Sequence, residues 1–171
     1  MRTTSLFVLT GSATVAATAA SPALADTITI DITIPRLAVA EYHRPYVAVW
    51  LEGPGGTART LSVWYDKDKR GGEGRKWLSD MRTWWRKAGR SASIDGVSGA
   101  TRAPGPQTLS IPASALRGLP AGQYQLCVEA AREVGGREVV KLPVTLGGAK
   151  VAKARASGKS ELGTIVSTVT P

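Results

Sequence analysis

Cysteine, histidine and phenylalanine are almost missing from this chain of 171 residues: each occurs once, as Cys127, His43 and Phe7. A lone cysteine excludes an intramolecular disulfide, Cys-x-x-Cys-His haem attachment and thiolate-built zinc sites, and a lone histidine leaves a metal centre short of ligands. Acidic residues are also scarce, 13 against 22 basic ones, for a formal net charge of +9. That balance favours anionic partners, and charge alone does not choose among nucleic acid, an acidic membrane surface, an acidic protein and a phosphorylated cofactor. No Gly-x-Ser-x-Gly elbow, paired catalytic carboxylates or phosphate-binding glycine loop occurs, so hydrolase and nucleotide-dependent readings have no residues behind them. The apolar stretch from Leu6 to Ala20 falls short of the roughly 20 residues of a spanning helix.

That stretch follows Arg2 and ends at Ala23-Leu24-Ala25, the small-x-small triplet of a secretory signal peptide. Residues 1–25 are therefore read as a cleaved signal and residues 26–171 as one domain in a periplasmic or secreted protein. Because Arg2 is the only charged residue removed, the formal charge falls from +9 to +8. Export argues against nucleic acid and leaves peripheral contact with the membrane open.

From Thr27 to Ile34 apolar and polar residues alternate with period two, the pattern of a half-buried strand. Tyr46–Leu51 and Leu61–Tyr65, separated by Gly53-Pro54-Gly55-Gly56, read as a hairpin. Tyr124–Ala130 and Val139–Leu146, separated by Gly135-Gly136, read as a second, with Pro143 marking an edge or bulge. Thr108–Ile111 and Thr164–Thr170 are weaker strands, and Gly147–Ser160 reads as a mobile basic loop. Lys76–Ala88 alone has helical spacing, with Trp77, Met81, Trp84, Trp85 and Ala88 on one stripe. The expected fold is an all-β, immunoglobulin-like antiparallel sandwich of about seven strands with one short inserted helix. One core is expected, holding Ile28, Ile30, Ile32, Val47, Val49, Leu61, Val63, Leu126 and Val128.

Between that helix and the next strand lies Asp95-Gly96-Val97-Ser98-Gly99-Ala100-Thr101. The string resembles the flavinylation motif Asp-x-x-Ser/Thr-Gly-Ala-Thr of the FMN-carrying subunits of Rnf-type and sodium-pumping NADH:quinone reductase complexes. The whole chain also looks like a family of predicted periplasmic proteins, domain of unknown function 2271. That likeness is carried by Tyr46-Val47-Ala48-Val49-Trp50, Thr60-Leu61-Ser62-Val63-Trp64-Tyr65, Trp84-Trp85-Arg86-Lys87 and Arg102-Ala103-Pro104-Gly105. It departs from the electron-transfer subunits after the threonine, where Arg102 and Pro104 stand in place of a further hydroxyl residue.

The resemblance implies FMN joined by a phosphodiester bond to Thr101, moved there from FAD by a Mg²⁺-dependent flavin transferase, with Asp95 activating or positioning the hydroxyl. The cofactor-binding set is Thr101, Asp95, Gly96, Ser98, Gly99, Ala100 and Arg102. Gly99 and Ala100 leave the hydroxyl unobstructed. Most tryptophans belong to the core, with Trp85, and next Trp84, the candidates to stack on the isoalloxazine ring. Arg44 and Arg102 are candidates to favour an added electron by their charge, and His43 to touch the flavin or a partner. Asp66-Lys67-Asp68 offers too few carboxylates for Ca²⁺. The chain then reads as an electron carrier serving a membrane redox protein, not an enzyme in its own right. A cofactor-free basic adaptor of the cell envelope is the second reading, and a flavin-dependent reductase the third. N-terminal sequencing of the exported protein is expected to begin at Asp26; an intact Met1 overturns the signal-peptide reading.

Overall fold

Alternating isoleucines build the first strand as their spacing requires: β1 (Thr27–Ile34) buries Ile28, Ile30, Ile32 and Ile34 and exposes Thr27 and Asp31. Each such burial is worth roughly 1.5–3 kcal/mol, so a slip of one residue would turn all four to water. The computed structural model describes residues 26–171, and the expected signal peptide, residues 1–25, lies outside the described residues. The further strands are β2 (Tyr46–Glu52), β3 (Ala58–Tyr65), β4 (Ser98–Ala100), β5 (Gly105–Ile111), β6 (Gly122–Ala131), β7 (Arg137–Leu146), β8 (Ala152–Ser157) and β9 (Thr164–Thr170). They form two sheets, ordered β5-β1-β9-β8 and β4-β3-β2-β6-β7. The fold is an all-β sandwich, with both expected hairpins in place and Pro143 on the edge strand β7.

A large core lies between the sheets, and a second lies on the outer face of the five-stranded sheet, under the segment joining β3 to β4. Trp50, Trp84, Met81, Leu78 and Ile94 belong to this second core. Strand β2, covered on both faces, buries every residue from Tyr46 to Leu51. Val63 was expected in the central core and belongs instead to the outer one. The cause is a bulge: Val49 pairs with Ser62 and Trp50 with Thr60, so Leu61 is an extra residue and the alternation shifts beyond it. Leu61 and Trp64 then face the central core, Val63 and Tyr65 the outer one.

The segment joining β3 to β4 also departs from expectation. A single helix over Lys76–Ala88 is replaced by a 3₁₀ segment Arg70–Asp80, one α-turn α1 (Arg82–Trp84) and a π-turn Trp85–Gly89. Three different periods cannot keep one stripe, so Met81 and Trp84 are buried while Trp77 is 53% exposed. The chain returns as β4, parallel to β3, the one exception to antiparallel pairing and the geometry that a long crossover imposes. Strand β8 forms inside the stretch expected as a loop. Its alanines and Lys153 are poor strand formers, yet Ala154 and Ala156 pack on the central core and pairing with β9 overrides propensity. With β4 and β8 the strands among the described residues number nine rather than about seven. No helix among the described residues is long and apolar enough to cross a membrane.

Glu129 of β6 fastens this crossover to the sheet. Its fully buried carboxylate accepts the backbone N–H groups of Thr83 at 3.1 Å and Trp84 at 2.7 Å, and a 2.8 Å bond from Arg137 Nη1. Two of the unpaired amides at the start of α1 are thereby satisfied, and the negative charge meets a cation. Trp84 adds a 3.0 Å bond from its indole N–H to Thr60 Oγ1. Glu129→Ala is expected to cost roughly 2–4 kcal/mol in urea unfolding, since two buried amides and a half-exposed arginine lose their acceptor. A loss under about 0.5 kcal/mol would show that the crossover is held by its apolar contacts alone.

Candidate functional site

Strand β4 pairs in parallel with β3 at Val63 with Ser98, Trp64 with Gly99 and Tyr65 with Ala100. The register delivers the next residue on each strand to the same place, and Thr101 Oγ1 donates a 3.2 Å hydrogen bond to Asp66 Oδ1. The other carboxylate oxygen of Asp66 faces Lys69 Nζ at 3.5 Å. Residues of the Asp95–Thr101 string also have local duties. Gly96 turns the chain at φ 84°, a conformation costly for any other residue, and Ser98 Oγ donates to the Ile94 carbonyl at 2.8 Å. A Cβ on Gly99 would stand 3.2 Å from Trp64 Cδ1, so glycine lets the edge strand lie close against that ring.

Thr101 and Asp66 line a cavity of about 520 Å³ with Tyr42, His43, Arg44, Tyr46, Trp77, Asp80, Arg132 and Val134. That volume lies within the range of cofactor and ligand sites. Trp77 and Val134 are two of the four large apolar side chains most exposed among the described residues, and both stand at this cavity. Val134 has φ 51°, a left-handed conformation that costs a β-branched residue on the order of 1–3 kcal/mol. It is held in a turn closed by bonds of 3.0 Å from Arg132 N–H to the Gly136 carbonyl and from Gly135 N–H to the Arg132 carbonyl.

The Arg132 side chain is buried and gives Nε and Nη2 to Glu161 at 2.9 and 3.1 Å. Its Nη1 and the hydroxyls of Tyr42 and Tyr46 are buried polar atoms with no hydrogen-bond partner among the described residues. All three belong to residues lining the cavity. Burial holds the Tyr42 phenol above its ordinary pKa, tempered by Arg132. Burial does the same for Tyr46, where the nearby Asp66 backbone tempers the rise without making a hydrogen bond of good geometry. Both phenols therefore stay neutral near pH 7 and keep a proton to donate. His43 Nε2 lies 2.9 Å from Glu41 Oε1, and Nδ1 lies 3.7 Å from Glu133 Oε2.

Of the residues named from the sequence as candidates to hold or tune the cofactor, Thr101, His43 and Arg44 line this cavity, and Asp95, Gly96, Ser98, Gly99, Ala100, Arg102, Trp84 and Trp85 do not. Asp95 is 81% exposed and paired with Arg75 at 3.1 Å. The carboxylate at the Thr101 hydroxyl is thus Asp66, not Asp95. Arg102 lies over the Trp64 ring, 4.5 Å from its centroid. Trp84 is fully buried and Trp85 packs against it with centroids 6.1 Å apart, so the tryptophan at the cavity is Trp77. Both candidates named from the sequence lie in the crossover, Trp84 of α1 inside the outer core and Trp85 of the π-turn packed against that core. Among the described residues no group of three or more His, Cys, Asp or Glu is placed to hold a metal ion.

A family model described as a predicted periplasmic protein (DUF2271) matches residues 27–164. No curated protein and no solved structure matches the chain.

Cys127, the one free thiol, lies in the outer core and not at the cavity. Burial pushes its pKa up to about 12, with the charge of Glu52 adding to the effect. A raised folded pKa means that the thiol contributes stability below its unfolded value near ~8.5, lost as pH rises from there toward about 12. The native protein is expected to resist iodoacetamide at pH 8 and to react once unfolded in urea; rapid native labelling would place the thiol outside the core.

Proposed function

The chain belongs to this family of predicted periplasmic proteins, and from that premise we propose that it is a periplasmic flavoprotein carrying FMN covalently on Thr101 and relaying electrons. The observation that carries the reading is the place of Thr101. The last residue of the flavinylation-like string puts its hydroxyl at the wall of a 520 Å³ cavity whose residues also bear three unpartnered buried polar atoms. A planar heterocycle rich in acceptors, with a phosphate at one end, matches that donor set.

Bound there, FMN would supply reversible one- and two-electron chemistry. The Tyr42 and Tyr46 hydroxyls and Arg132 Nη1 would donate to its polar atoms, and Trp77 and Val134 would shield its apolar edge. The positive charge of Arg44, beside the buried Arg132–Glu161 pair, would favour an added electron. A covalent tether suits an exported domain, because the envelope holds little free cofactor. The partners on this reading are a Mg²⁺- and FAD-dependent flavin transferase and a membrane redox protein. The protein is their substrate and carrier, not an enzyme. A cofactor-free adaptor draws its support from the basic edge strand β8, where Lys153 and Arg155 are exposed.

Co-expression with an active flavin transferase is expected to add the mass of FMN less one water and to leave a yellow colour that survives denaturation. Thr101→Ala and Thr101→Val are expected to abolish the addition with the fold intact, and Thr101→Ser to retain part of it. A wild-type protein that stays colourless favours the adaptor. An Ala variant that still carries bound flavin places the attachment elsewhere.

A further inference from the structure

Resting on the reading that Thr101 receives FMN from FAD, we propose that Asp66 is the base that takes the Thr101 proton during transfer. Asp66 lies outside the string that resembles the flavinylation motif, and three observations single it out. The Thr101 hydroxyl already donates to Asp66 Oδ1 at 3.2 Å, within the reach a nucleophile and its base require. Lys69 Nζ stands 3.5 Å from the other oxygen, Oδ2, so Oδ1 is left to the hydroxyl. Asp66 and Thr101 both line the open cavity, whereas Asp95 does not line it and is turned to Arg75.

The parallel pairing of Tyr65 with Ala100 fixes this contact through the backbone, so the pair is organised before any partner arrives. With its hydrogen committed to Asp66, the hydroxyl presents its lone pairs to an incoming phosphorus. Oγ1 of Thr101 attacks the phosphorus of the FMN half of FAD, and an O–P bond forms as the P–O bond to the AMP phosphate breaks. AMP leaves with that electron pair, and the proton passes from Oγ1 to Asp66 Oδ1 and then to solvent. Nothing is oxidised or reduced. The transferase, with its metal, neutralises the phosphoryl charge.

The test uses unmodified protein made without transferase, then mixed with purified transferase, FAD and Mg²⁺, with the rate of mass gain read by intact mass spectrometry. Asp66→Asn, which keeps shape and an acceptor but loses basicity, is expected to lower kcat about 100-fold while changing KM for the acceptor protein less than about threefold. Asp68→Asn, at an exposed carboxylate two residues away that does not line the cavity, is expected to stay within about threefold of wild type. An Asp66→Asn rate within about threefold of wild type overturns the proposal and leaves the flavoprotein reading standing. A wild type that gains no mass with an active transferase overturns that reading, and the proposal with it. Where Asp66→Asn does not fold by circular dichroism, Asp66→Ala with added formate serves instead. Recovery of rate with formate concentration supports a base at this position, and a rate that formate leaves unmoved overturns it.

Discussion

Everything that makes this sandwich more than a pair of sheets depends on one carboxylate, Glu129, buried on the outer face of the five-stranded sheet. An isolated charge there would be very costly, and it is tolerated because three donors converge on it: two amides at the start of α1 and the Arg137 guanidinium. Two of those donors belong to the crossover, so the sheet and the crossover each satisfy what the other cannot. With α1 pinned, Trp84 and Met81 close over Trp50 and Val63, and β2 becomes buried on both faces. The chain beyond the pin can then return along β3 as β4, which is how Thr101 comes to stand beside Asp66. The same crossover supplies Trp77 and Asp80 to the cavity. Fold and candidate site are therefore tied by an interaction that lies at neither the core centre nor the cavity.

Period-two patterning made most of the strands legible, because one buried face leaves a repeating mark in the sequence. The isoleucines of β1 and the two glycine-marked hairpins are such marks. The second core leaves a mark as well. Tyr46 to Leu51 is apolar at nearly every position, the run expected of a strand covered on both faces, and it implies a third layer. What had no mark was the bulge at Leu61, since the extra residue is visible only against its partner strand. The crossover hid for a related reason. Gly71 and Gly72, both at positive φ, and a run of 3₁₀ turns precede the α-turn, so helical spacing over Lys76–Ala88 was coincidental in part.

The candidate site was half legible. A linear string can mark the acceptor threonine, but the side chains around it come from three separate stretches: Tyr42 to Tyr46, Asp66 to Asp80, and Ala131 to Val134. Asp66 is 35 residues from Thr101 in sequence, and only the parallel register brings them together. From composition Asp66 looked like part of a poor cation site, a surface carboxylate among lysines. Its neighbour across the strand gap, not its neighbours in sequence, defines its chemistry. Trp84 and Trp85, the tryptophans nearest the string in sequence, lie instead at the outer core, where Trp84 bonds to Thr60 and Trp85 packs against the buried cluster.

The cavity's own electrostatics explain why a covalent link would matter on the proposed reading. The chain is strongly basic, yet much of the charge at the cavity is compensated: Arg132 is bound to Glu161, and Asp66, Asp80 and Glu133 stand near Arg44 and His43. A phosphorylated ligand would find little net attraction there, and two phenols with a shared guanidinium give directional bonds of modest strength. A tether at Thr101 changes the terms. It makes docking intramolecular, with an effective concentration set by a short linkage on a rigid strand, so weak contacts suffice to hold one orientation. The scaffold can then leave the cavity open at Trp77 and Val134 without losing what it holds. On the proposed reading, the exposed Trp77 and Val134 would then be free to meet a second protein while the tether keeps the cofactor in place.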